Sequence, residues 1–205
     1  MWDERYAGDD YIFGTEPAAF LAAAEALLPR GARVLCLAEG EGRNAVFLAG
    51  RGHRVTGIDL SEVGLAKAAR LAAARGVAVE LRRGDVMTWD GGDGPWDAVV
   101  AVFIHFRAEE RARLAAALAR GMGAGGLFLF HAYGPGQIAL GTGGPKDRAM
   151  LADAGEVVAD FAGWEVLAAR DHEAVLAEGS HHVGQSALVD VILRHPGLFG
   201  AAEAG

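Results

Sequence analysis

LAEGEGRNA, residues Leu37 to Ala45, is the stretch on which the reading of this chain turns. It closes a short apolar run, Arg33 to Ala38 (RVLCLA), and runs into the helically spaced segment Arg43 to Ala49. An uninterrupted apolar run bounded by glycine is what a strand buried on both faces requires, so the order is strand, glycine turn, helix. Outward from it the same unit recurs. Arg54 to Asp59 (RVTGID) reads as a second strand and Ser61 to Arg75 as its helix, with Ser61 as N-cap and Gly76 as stop. Val77 to Arg82 reads as a third strand, Trp96 to Phe103 as a fourth, Ala108 to Arg120 as a helix and Gly126 to Ala132 as a fifth strand after the Gly121-to-Gly125 break. This alternation belongs to a parallel sheet with helices on both faces, a three-layer α/β fold.

Upstream, an aromatic-rich start (Trp2, Tyr6, Tyr11, Phe13) precedes a first helix, Ala18 to Leu28. Downstream the pattern changes. Gly134 to Pro145 reads as a long flexible loop with five glycines, followed by a short helix near Lys146 to Ala154. Two apolar runs, Trp164 to Ala177 and Ser186 to Arg194, are separated by a turn short enough to join antiparallel neighbours. The expected organisation is one domain over residues 1–196, with 1–30 as an N-terminal lid and first helix, and a frayed tail over 197–205.

Composition narrows the function classes. The chain has 205 residues, 19 basic against 27 acidic side chains, and a net charge of −8. A nucleic-acid surface draws its affinity from clustered Lys and Arg, and no such cluster is present. No run approaches the roughly 20 apolar residues of a membrane span, and the start lacks the apolar core of a signal peptide. The single cysteine, Cys36, forms no internal disulfide and no thiolate metal site. A cytoplasmic protein binding a small molecule is the expectation, without nucleic acid, membrane or metal, as monomer or homodimer.

Three strand ends carry polar groups suited to one ligand. Gly40 and Gly42 allow a tight turn with room beside it, and the helix after them offers unpaired N–H groups. Asp59, ending the second strand, is placed to accept from both hydroxyls of a ribose, and Asp85 after the third strand from an adenine amine. Each has a plainer reading: a tight turn, a helix cap, a turn acid. Together, at consecutive strand ends, they favour a nucleoside cofactor. Glu39 and Glu41 suit a sulfonium or amino group and repel a pyrophosphate, which favours S-adenosylmethionine over a dinucleotide.

With YIFGTEP (Tyr11 to Pro17), VTGIDLSEVGLAKA (Val55 to Ala68), TGGPKD (Thr142 to Asp147) and EGSHHVGQSAL (Glu178 to Leu188), the glycine loop resembles the class I methyltransferases. Within them the resemblance is to the branch of tellurite-resistance and thiopurine-like enzymes. It implies a seven-stranded sheet, order 3-2-1-4-5-7-6, with strand 7 antiparallel. It also implies cofactor contacts at the glycine loop (Ala38, Glu39, Gly40, Gly42, Arg43, Asn44), at Asp59 with Leu60 and Ser61, at Asp85 with Val86, and at Val102 ending the fourth strand. Tyr6, Tyr11 and Phe13 become a lid over the cofactor, against the alternative that they staple the first helix to the core. One departure stands out. The family's loop carries an acid where this chain has Cys36 and a glycine where it has Ala38, so Glu39 or nearby carbonyls are left to hold the methionine amino group. Cys36 reads as a small buried residue, and Arg43 either meets the cofactor carboxylate or is exposed.

Methyl transfer needs alignment and exclusion of water, and a base only where the nucleophile arrives protonated. The resemblance puts His105 and His182 on the acceptor side, as orienting or proton-accepting groups. His105 could equally cap the helix from Ala108, His131 is a third imidazole to consider, and His181 is expected to face solvent. The acceptor could be a thiol, a metalloid oxyanion, an amine or a carboxylate. Two other functions remain: an NAD-dependent oxidoreductase, because Gly40-x-Gly42-x-x-Ala45 also satisfies a dinucleotide fingerprint, and a non-catalytic cofactor-binding domain.

Overall fold

The computed structural model describes residues 1–197, so the expected tail lies outside the described residues from 198 onward. Seven strands form one sheet: β1 (Arg33–Leu37), β2 (Arg54–Asp59), β3 (Glu80–Arg83), β4 (Trp96–Val102), β5 (Met122–Tyr133), β6 (Glu165–Glu178) and β7 (His182–Arg194). Their order is β3-β2-β1-β4-β5-β7-β6. Strands β1 to β5 are mutually parallel, and β7 runs antiparallel to both β5 and β6. The topology implied by the resemblance is therefore the one found. The chain moves outward from β1 to β3 and then returns to lay β4 on the other side of β1. That reversal opens a crevice at the carboxyl ends of β1 and β4, the place where open α/β sheets bind ligands.

Successive strand residues feed two cores, as the pleat demands. On one face Leu35, Leu37, Val99, Phe128 and Phe130 pack against α5 (Ala108–Gly121) and α7 (Ala154–Ala159). On the other, Val34, Cys36, Val100 and Leu129 meet α2 (Ala19–Ala24) and α3 (Arg43–Gly50). Helix α4 (Glu62–Ala74) lies beside α3, and a short α1 (Trp2–Arg5) lies against α4. Cys36 is fully buried.

The departures from expectation have local causes. The first helix is α only to Ala24 and finishes as a 3₁₀ turn, Glu25–Leu27. Strand β3 begins at Glu80, because Gly76 (φ +66°) closes α4 with Val77 donating back to the Ala72 carbonyl, which holds Val77 in the helix cap. The Gly121-to-Gly125 break is a register shift within a longer β5: Met122 pairs with Trp96, then Leu127 with Ala98. The helix expected near Lys146 to Ala154 is a 3₁₀ turn, Arg148–Met150, and a separate helix, α7, follows from Ala154. There the Asp153 carboxylate accepts from Glu156 N–H (2.8 Å) and Glu156 from Asp153 N–H (2.9 Å), a reciprocal cap.

The Gly134-to-Pro145 segment is tied down rather than free. It contains α6 (Gln137–Leu140), and buried Gln137 donates to Thr142 Oγ1 (2.9 Å) and accepts from Ala187 N–H (2.9 Å) on β7. Strand β7 starts at His182, not Ser186. Its pairing with β6 continues to Glu178 opposite His182, whereas its pairing with β5 ends at Tyr133 opposite Leu188. The surplus is a two-stranded ribbon overhanging the carboxyl edge of the sheet.

Candidate cofactor and acceptor site

The loop between β1 and α3 needs glycine for two reasons. Gly40 (φ +60°) and Gly42 (φ +94°) are left-handed, and a Cβ on Gly42 would stand 2.5 Å from that of Ala68 on α4. The turn directs Gly40 N–H onto Asp59 Oδ2 (2.7 Å), while Asp59 Oδ1 accepts from Ser61 N–H (2.7 Å). Burial raises the Asp59 carboxyl above its ordinary range, against the pull of these amides. A carboxylate has about four acceptor sites, so each oxygen retains capacity for a hydroxyl. Ser61 caps α4 through Gly64 N–H (3.0 Å), so the N-cap is Ser61 and not Asp59. Leu60 between them is exposed. At the third strand end Asp85 Oδ1 accepts from Met87 N–H (2.8 Å), and Val86 faces the core. Val102 packs with the α2/α3 core as β4 ends, and half-buried Ala38, in the left-handed region at φ +49°, begins the glycine loop.

The charged and amide side chains of the loop itself are committed elsewhere. Glu39 Oε1 accepts from Ala45 N–H (2.7 Å) at the start of α3. Burial lifts its carboxyl to about 7, with the α3 amides offsetting only part of that cost. Glu41 accepts from Ile12 N–H (2.9 Å) and pairs with Lys67 (2.5 Å). Arg43 is not exposed but buried, and donates to the Phe13 carbonyl (3.0 Å) and Glu178 Oε2 (2.8 Å). Asn44 Oδ1 accepts from Ala18 N–H (3.0 Å), anchoring the entry to α2. What the loop leaves for a ligand is its backbone and Asp59.

The aromatic start divides its roles. Tyr6 is buried over the loop: a Cβ on Gly40 would lie 2.6 Å from its Oη, and one on Gly64 3.1 Å from its ring. Burial, then the charges of Asp59, Glu41 and Glu39, push its phenol far up. Tyr11 is anchored to α3 and α4, its hydroxyl donating to the Lys67 carbonyl (2.9 Å) and its ring packing on the Val46–Leu71 cluster. Phe13 reaches across to His182, ring centroids 4.3 Å apart.

Past β4 the chain bends sharply at Phe103, a non-glycine residue at φ +54° whose N–H donates to the His131 carbonyl (2.7 Å). The Phe103 ring stands between His131 (4.8 Å), His182 (4.0 Å) and Tyr133 (5.0 Å). Two of these imidazoles have carboxylate partners. His131 Nδ1 lies 2.6 Å from Asp190 Oδ1, and Arg170 holds the other Asp190 oxygen. His182 Nδ1 is 3.5 Å from Glu178 Oε2, the oxygen that Arg43 also binds. Burial alone would raise Glu178, but His182 and Arg43 hold it at about 2, and burial lowers His182, so the pair stands as carboxylate and neutral imidazole at neutral pH. His105 differs. Its Nε2 accepts from Tyr133 N–H (3.2 Å) and burial pushes it down to about 4, while the N-cap of α5 is Arg107. His181 is exposed. The sequence reading offered Tyr6 as part of the lid, but missed Lys67, Phe103, Glu178 and Asp190.

Residues 34–126 match the family model described as a methyltransferase domain. The match spans less than half of the chain, and the sheet is that of the Rossmann-like methyltransferase fold. The match implies S-adenosylmethionine as the cofactor, in place of the dinucleotide alternative. Among the solved structures that the chain resembles are three at 22% identity or less, which bears on fold alone. One concerns the conversion of a disulfide bond into a thioacetal group during echinomycin biosynthesis, with TM-score 0.77, 22% identity, 95% of this chain and 88% of that one covered. TehB from Haemophilus influenzae follows at 0.70 and 16%, covering 95% and 65%. A SAM-dependent methyltransferase from Methanosarcina mazei gives 0.68 and 16%, covering 89% and 99%. No curated protein sequence matches. Among the described residues no helix is long and apolar enough to cross a membrane, and no cluster of His, Cys, Asp and Glu is arranged to hold a metal.

Proposed function

We propose that this protein transfers a methyl group from S-adenosylmethionine to a small-molecule nucleophile, with residues 1–196 acting as one unit. The observation that carries the reading is the Asp59 carboxylate at the switch point, bonded to Gly40 N–H of the glycine loop and still able to accept hydroxyls. Backbone at Gly40 and Gly42, Asp59 and Asp85 would hold the cofactor, which supplies a methyl group already activated on a sulfonium. The negative groups around Tyr6 suit that cation.

The chain's own residues do the rest. Tyr6 and Phe13, roofed by the β6–β7 ribbon, exclude water from the crevice. Phe103 sets the floor between two imidazoles. His182, kept neutral and partnered by Glu178, is suited to take a proton from a thiol or amine, and His131, oriented by Asp190, is the second group placed for this. His105, its Nε2 already spent on Tyr133 N–H, orients and does not accept a proton. Arg43, the cation beside Phe103, is spent on Glu178, which favours acceptors that arrive neutral over carboxylates and oxyanions. The tellurite-resistance and thiopurine-like branch fits a small acceptor of this kind, and the lone buried Cys36 fits a reducing, cytoplasmic setting.

The test is release of S-adenosylhomocysteine with a panel of small thiols, amines, acids and metalloid oxyanions. Turnover with thiols or amines is expected. Turnover confined to carboxylates or oxyanions would refute the assignment of acceptor class, and cofactor binding without turnover on any acceptor would favour a non-catalytic binding domain.

A further inference from the structure

Lys67 is 1% exposed, midway along a helix whose other buried residues are Gly64, Ala68, Leu71 and Ala72. A buried lysine costs several kcal/mol unless every donor is met. Here all three are. Nζ donates to the carbonyls of Asp10 (2.6 Å) and Gly8 (2.9 Å) and pairs with Glu41 Oε1 (2.5 Å), with the Tyr6 carbonyl at 3.4 Å. The other Glu41 oxygen accepts from Ile12 N–H. One ion pair thus gathers the backbone of residues 6 to 12 on one side and the glycine loop, through Glu41, on the other. The segment it gathers carries Tyr6, whose ring covers Gly40 and Gly64.

We propose that Lys67 and Glu41 form a latch that positions residues 6–12 over the cofactor loop and sets how fast the cofactor exchanges. This rests on the cofactor assignment above and assigns these two residues a positioning role in it. The middle of this segment has little else to hold it: Gly8 and Asp9 are exposed, between Tyr6, packed on the loop, and Tyr11 and Ile12, bonded to the Lys67 carbonyl and to the Ser180 and His181 amides. With the latch made, Tyr6 stays on the loop. With it broken, residues 6–10 loosen from the anchors at Tyr11 and Ile12, and the loop opens to solvent.

The test uses the full chain and S-adenosylhomocysteine as probe, with Lys67→Met and the double variant Lys67→Met, Glu41→Met. The single variant strands a buried carboxylate and is the one at risk of misfolding. The double variant replaces the pair by apolar side chains of similar length, which buried pairs commonly tolerate. In the double variant amide exchange of residues 6–12 should rise, and release of S-adenosylhomocysteine should quicken by about tenfold or more, with the thermal midpoint near that of wild type. Wild-type exchange and release in a folded double variant would overturn the latch. So would loss of fold in both variants, which would make the pair part of the core. If wild-type protein fails to bind the probe at all, the cofactor assignment falls, and amide exchange alone then decides the latch.

Discussion

Asp59 is where the cofactor claim meets a single side chain. Asp59→Ala removes a buried carboxylate that holds Gly40 and is offered to the ribose, so S-adenosylhomocysteine binding should weaken by about 1.5–3 kcal/mol in a folded protein. Calorimetry showing unchanged affinity would reduce Asp59 to a support for the turn. Glu39 gives a prediction of opposite character. Its folded carboxyl stands at about 7 against an ordinary 4.5, so the stability of the neutral form is complete at low pH and is lost as pH rises toward and through 7. Relative to wild type, Glu39→Gln should therefore gain thermal stability between pH 5 and pH 8, and a relative loss over that range would contradict the burial argument. On the acceptor side, His182→Gln should lower turnover on a protonated nucleophile roughly a hundredfold or more while leaving S-adenosylhomocysteine affinity unchanged. Equal turnover would move the proton-accepting role to His131 with Asp190. At this scale the sequence was legible where backbone geometry dictates residue type, as at Gly40, Gly42 and the strand-ending Asp59. It was not legible for Glu39, Arg43 and Asn44, because their partners, Ala45 N–H apart, lie at distant places in the chain: Glu178 is 135 residues from Arg43.

Elements converge on the crevice from opposite ends of the chain. Residues 12–14 meet the tip of the β6–β7 ribbon, where Ser180 and His181 N–H groups both donate to the Ile12 carbonyl (2.9 and 3.1 Å). Gly179 makes this approach possible: at φ +63°, a Cβ there would lie 2.4 Å from Gly14 N and from the Ile12 carbonyl oxygen. Gly179→Ala should cost at least about 1 kcal/mol of stability and speed amide exchange at residues 12–14. A variant matching wild type in denaturant melts and in exchange would show the contact to be loose. Strands and their helices were readable from apolar runs and glycine stops. The ribbon's extra length was not, since Glu178 to Gln185 is polar and glycine-containing and becomes strand only by pairing with its neighbour. The same holds for the Gly134-to-Pro145 loop, whose glycines suggested freedom while Gln137 supplies the tie.

For the molecule as a whole, the sheet order fixes one reversal point, and beside it, between the aromatic start and the β6–β7 ribbon, lies the proposed cofactor site. Much of the fold followed from strand periodicity together with the family resemblance, because topology of this kind is written in the alternation of elements. The proposed acceptor pocket is different: Phe103, His131, His182 and Tyr133 come together only through tertiary folding, so no local pattern announces them. The fold alone does not fix the chemistry. The most direct test of the central claim is calorimetric titration of the full chain with S-adenosylhomocysteine and, separately, with NAD. Saturable binding of S-adenosylhomocysteine at one site per chain, with no heat from NAD, is the expected result; binding of NAD with none of S-adenosylhomocysteine would contradict it.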